Sequence, residues 1–113
     1  MTDYVAATAK KKPQAKESVV TIIVTQNPAD VIVVPDLVRI NKFEKDTVTW
    51  VCPQGFDFKV EFPETPFHDH HFDQRTAKNL LPREDVKNNA NRPYKYNVTV
   101  AGITKDPGLI VDP

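Results

Sequence analysis

Among 113 residues the chain has one cysteine, one methionine, one tryptophan and three glycines. With Cys52 as the sole thiol, no intrachain disulfide can form. The cysteine pairs that build structural zinc sites are excluded with it. Glycine is too sparse for a phosphate-cradling loop, and no nucleophile-elbow serine motif occurs. An excess of charge is also missing: 15 basic residues balance 15 acidic ones. The chain as a whole is therefore not drawn to nucleic acid or to anionic lipid. No apolar run approaches the ~20 residues that cross a bilayer, so no membrane insertion is expected. The opening MTDYVAATAKKK lacks the apolar core of an export signal. That implies a cytoplasmic protein if Met1 is the natural start, and a periplasmic or exported one if a signal segment was removed.

What is present is one domain's worth of chain. A chain of this length buries roughly 65% of its unfolded surface, enough for one core without staples. Residues 1–17 are Ala/Lys-rich, with Lys10, Lys11, Lys12 and Lys16 against Asp3 and Glu17, a net of +2. They show no periodicity that buries a face and read as a flexible, solvated tail. The domain is expected over residues 18–113.

From Ser18 the texture is that of strands. Val19–Thr25 is β-branched throughout. Val31–Val34 is a short apolar run that Pro35 confines to an edge or a strand end. In Leu37–Asn41, Val38 and Ile40 share one face. Phe43–Asp46 reads as a polar turn with an aromatic plug. Asp46–Phe62, DTVTWVCPQGFDFKVEF, reads as two alternating strands around a Pro-Gln-Gly turn. Phe56, Phe58, Val60 and Phe62 form its core face. Residues 63–92, with Pro63, Pro66, Pro82 and an Asn cluster (Asn88, Asn89, Asn91), form a long excursion. A short helix is expected over Gln74–Leu81, capped by Asp73 and limited by Pro82. Tyr94–Val100 alternates again, with Tyr94, Tyr96, Val98 and Val100 inward, and Leu109–Val111 closes the domain. All three glycines are expected in turns. Strands at close intervals predict an antiparallel β-sandwich.

Three pieces, VVPDLVRINKFEKDTVTWV, GFDFKVEF and YKYNVTV, together resemble the cupredoxins, the plastocyanin- and azurin-type copper proteins, over about Ile32–Pro113. The resemblance implies a Greek-key β-sandwich. In that family the second piece carries the first copper-binding histidine and the third leads into the copper loop with its cysteine. Those ligand positions fall here on Phe58 and Val98. A type 1 site needs two imidazoles and a thiolate, usually with a weak thioether. No histidine follows His71, and the only methionine is Met1. The resemblance thus implies a cupredoxin scaffold with vacant copper-ligand positions and no copper cofactor.

The three histidines, His68, His70 and His71, fall within four residues beside Asp69 and Asp73. His68 and His70 have the spacing to share a copper or zinc ion on one side of an extended chain, with a carboxylate such as Asp73 as a further ligand. Structural sites usually draw four ligands from at least two segments, and only this segment supplies any. Cys52 reads as a small buried hydrophobe, with a reactive thiol as its alternative. Asn97-Val98-Thr99 is a glycosylation sequon lying mid-strand. Three functions remain open. The leading one is a protein-binding or assembly module, without an active site, that contacts an unidentified partner through 63–92 and the strand edges. The others are metal binding or sensing at the histidines, and an enzyme of unassigned class.

Overall fold

The computed structural model describes residues 15–86 and 92–112. Among them the protein is all-β, with no helix and ten strands in three sheets. The strands are β1 (Glu17–Thr25), β2 (Asp30–Val34), β3 (Leu37–Asn41), β4 (Thr47–Val51) and β5 (Phe58–Glu61). They continue as β6 (His71–Asp73), β7 (Tyr94–Lys95), β8 (Asn97–Val100), β9 (Ile103–Lys105) and β10 (Gly108–Asp112).

The first sheet has the order β2–β1–β4. β1 and β2 are antiparallel, with Ile22 opposite Val33 and Ile23 opposite Ile32. The second sheet, β3–β10–β7, joins the last strand to β3, with Val111 opposite Ile40. The third, β9–β8–β5–β6, is antiparallel throughout. Two pairs elsewhere, β1 with β4 and β3 with β10, run parallel. Parallel neighbours need a long crossover, and here intervening strands supply it.

The alternating patterns position one core shared by all three sheets. Val38 and Ile40, Val48 and Trp50, Val60, and Tyr94, Tyr96, Val98 and Val100 are all buried. The Tyr94–Val100 run does not make one strand. It breaks at Tyr96, so that β7 pairs with β10 and β8 pairs with β5. Trp50 sits at the centre of an aromatic cluster, edge-on to Phe62, Phe67 and Tyr96, while Tyr96 stacks on Phe62.

Several expectations are corrected. The Gln74–Leu81 helix is replaced by a single turn. Asp73 does act as its cap: its carboxylate accepts from the Arg75 and Thr76 N–H groups, which holds it below the usual carboxylate range. The next turn cannot form, because the backbone is taken up by the open edge of β4. Ala77 accepts from Trp50 N–H, and Leu80 exchanges both bonds with Val48. Asn79, in the left-handed region at φ 51°, makes the change of direction. The aromatic plug is also wrong, since Phe43 is 70% exposed. Phe56 leaves the core face at the turn and is exposed, while Phe58 and Phe62 stay buried. Gly108 lies in β10, not in a turn. A Cβ there would come within 3.1 Å of both Leu37 Cδ1 and Pro93 Cβ. The Asn cluster (Asn88, Asn89 and Asn91) lies outside the described residues, as does the tail through residue 14.

Tyr96 supplies a pH-dependent element. Its hydroxyl accepts from Trp50 Nε1 at 3.2 Å in the interior. Burial drives its pKa well above the ordinary tyrosine range, against the opposing effect of the Trp50 bond. The unfolded chain releases this proton from about pH 10, whereas the folded chain keeps it. Stability should therefore fall as pH rises above about 10, by up to ~1.4 kcal/mol per pH unit from this group. Denaturant midpoints measured across that window should show the slope, and Tyr96→Phe should flatten it. The variant should also lose about 1–2 kcal/mol at neutral pH, because the Trp50 indole N–H is left without its acceptor.

Candidate functional site

Phe58 and Val98 occupy the adjacent strands β5 and β8, where Val60 lies opposite Val98 and Phe58 opposite Val100. Both are in the core, at 3% and 0% exposure. These side chains fill their positions with hydrocarbon and make packing contacts in place of polar ones. Cys52 follows β4, where its carbonyl accepts from Gly55 N–H in the turn to β5. Its thiol is half-buried against the core.

The histidines are divided between surroundings. His68 borders a cavity with Phe67 and Asp69, whereas His70 and His71 border a different, smaller one with Glu61 and Asn97. His70 is fastened to Phe62: its Nδ1 donates to the Phe62 carbonyl at 2.8 Å, and its own carbonyl accepts from Phe62 N–H. His71 extends from β6 opposite Glu61, with Nδ1 3.2 Å from the Glu61 carboxylate. The Asp73 carboxylate is occupied by the turn it caps. Among the described residues, no three His, Cys, Asp or Glu side chains come together in a group that could hold a metal ion.

Two other surfaces stand out. The first is the outer face of the β2–β1–β4 sheet. Ile23 and Ile32 lie side by side there, and Val34, Thr21 and Val51 form a row across the three strands. Val19, Ile23, Ile32 and Val34 are 48%, 37%, 44% and 49% exposed. No charged side chain interrupts this group. Charges appear only at its ends, where Glu17 accepts from the Thr49 hydroxyl and Lys105 pairs with Asp30 at 2.9 Å. The Lys105 contact, with the Val31 N–H bond, holds the Asp30 pKa below its ordinary value. The second surface is the cavity beside His68, about 720 Å³, formed where Phe67–Phe72 meets Asn79–Asp85.

Sequence reasoning placed the contact region on 63–92 and the strand edges and did not single out this sheet face. The signal was nevertheless there. A strand with one face in water ordinarily alternates polar and apolar residues, whereas one covered on both faces is apolar throughout. Val19–Thr25 carries no charge on either face.

No protein-family model, curated protein or solved structure matches this chain.

Proposed function

We propose that the chain is a copper-free, cupredoxin-like Greek-key β-sandwich that acts as a protein-binding or assembly module through its surface. The observation that supports this most is the outer face of β1 and β2, apolar between the charges at its ends. β1 has the composition of a strand covered on both sides, yet only its inner face is packed within the described residues. Contiguous exposed apolar side chains rimmed by charge mark contact sites in soluble domains. Covering each of these half-exposed side chains would contribute on the order of 1 kcal/mol. The partner's complementary surface is therefore apolar. The scaffold reading draws on the three sheets around one core and on the hydrocarbon at Phe58 and Val98.

The test compares the wild type with an Ile23→Asp/Ile32→Asp variant in retention of proteins from the source cell extract. Both positions point outward, so the variant should keep its fold, as the circular dichroism spectrum and denaturant midpoint would verify. A partner retained by the wild type, displaced by excess free domain and lost with the variant is the expected result. Identical retention by the two proteins would refute the assignment of this face.

A further inference from the structure

We propose that the 720 Å³ cavity is a second binding site, one that takes a basic-apolar peptide segment of a protein partner. One aliphatic or aromatic side chain would be seated on its floor, flanked by lysine or arginine at its rim. The inference deepens the protein-binding reading and rests on it, but it concerns a surface separate from the β1–β2 face.

The floor is apolar. Phe67 and Phe72 meet edge to face with ring centroids 6.0 Å apart, and both are buried. Pro82 closes the floor, while Leu81 stays 45% exposed at its margin. The volume falls within the range of pockets that enclose a ligand, and it is ample for one large side chain.

The rim chooses the sign of the ligand. Asp69, Glu84 and Asp85 supply three carboxylates, against one guanidinium, Arg83, and one imidazole, His68. Arg83 has its Nε 3.5 Å from the Asp85 carboxylate, an ion-pair distance, although that buried nitrogen makes no hydrogen bond among the described residues. Among the described residues no ion pair holds Asp69 or Glu84. An anionic ligand drawn to Arg83 would meet three carboxylates. A cationic one would meet two unpaired carboxylates over a floor that also desolvates an apolar side chain. Charge complementarity therefore selects a segment with lysine or arginine on either side of an apolar anchor.

The floor is held by backbone bonds that tie its two walls to the rest of the fold. Arg83 N–H donates to the Pro66 carbonyl, which joins the walls directly. Thr65 closes the loop beneath by donating to the Asp69 carbonyl at 2.8 Å. Leu80 is fixed to Val48 of β4. The cavity is thus formed before any ligand arrives, which lowers the ordering cost of binding.

The experiment is a titration of the ¹⁵N-labelled full chain with the blocked tripeptide Lys-Leu-Lys, followed by amide chemical shifts. Blocked Glu-Leu-Glu and Lys-Ala-Lys serve as controls. Saturable shifts confined to Phe67–Phe72 and Asn79–Asp85 are expected, with weaker binding of both controls. Asp69→Asn/Glu84→Gln should weaken Lys-Leu-Lys roughly three- to tenfold. Ile23→Asp/Ile32→Asp should leave its binding unchanged. Equal binding of Glu-Leu-Glu, or shifts located elsewhere or absent, would overturn the proposal. Because the sheet-face variant reports separately on retention from extract, failure at the cavity is distinguishable from failure of the protein-binding reading.

Discussion

Replacing Asp46 by alanine should destabilise the domain by about 3 kcal/mol, which for a domain of this size is a large fraction of its stability. Asp46 is 2% exposed, yet no lysine or arginine neutralises it among the described residues. Its carboxylate is satisfied by backbone instead. Oδ1 accepts from Lys16 N–H at 3.0 Å, and Oδ2 accepts from Asn41 N–H at 2.9 Å. Its own N–H donates to the Asn41 carbonyl, and the next residue, Thr47, donates to the Lys16 carbonyl. One side chain thus ties the approach to β1, the end of β3 and the start of β4. Hydrogen bonds to a charged acceptor are stronger than neutral ones, and their loss leaves donors unpaired. Asp46→Asn should recover part of the loss, because it keeps one acceptor oxygen while turning an amide N–H₂ toward a backbone donor. Urea denaturation followed by the fluorescence of the single tryptophan, Trp50, reads the difference. An unchanged midpoint for Asp46→Ala would show that the three segments hold without it.

The second large effect is expected at Phe58. Truncation to alanine should cost about 3–5 kcal/mol, the range for a fully buried aromatic side chain. The more informative variant is Phe58→His. The resemblance to cupredoxins would place a copper-binding imidazole at this position, whereas here the site is 3% exposed and faces Val100 across the strand pair. An imidazole there has ring nitrogens without a partner, so the histidine should cost roughly as much as it loses in packing plus ~1–3 kcal/mol for the unpaired polar group. Paired denaturation curves with and without Cu²⁺ provide the check, and copper should not restore the midpoint. Recovery of stability with copper would mean that further ligands surround position 58.

The sequence revealed what depends on neighbours in the chain. Val38 with Ile40, and Tyr94 through Val100, announce their inward faces by alternation, since a side chain's face depends only on its place along a strand. Asp73 was recognisable as a cap for the same reason. What depended on distant partners was not legible. The turn after Asp73 stops because β4 offers an open edge, and nothing local marks that edge. Tyr94–Val100 reads as one strand, and its division at Tyr96 between β10 and β5 is a tertiary fact. Phe43 lies in a turn and Phe56 follows one; pattern alone does not set the direction of either, and both emerge into solvent. Asp46 looks like an ordinary turn residue until Lys16 and Asn41 are brought to it.

The candidate surfaces divide along the same line. Phe58 and Val98 fell on inward parity and were found in the core. The grouping of His68 with His70 followed from an extended chain, whereas the actual path turns between them and gives each a different neighbourhood. The cavity needs Phe67–Phe72 and Asn79–Asp85 to meet, which only the folded chain brings about.

The central claim is that the positions where the resemblance would place copper ligands hold core hydrocarbon, leaving the molecule to act through its surface. Its most direct test is the visible absorption spectrum of the reduced, metal-free chain as Cu²⁺ is added in stoichiometric steps. The expected spectrum has no intense thiolate-to-copper band, and equilibrium dialysis should find no tight uptake that His68→Ala/His70→Ala removes. An intense visible band that disappears with Cys52→Ser would place a copper–thiolate centre in this protein and contradict the account.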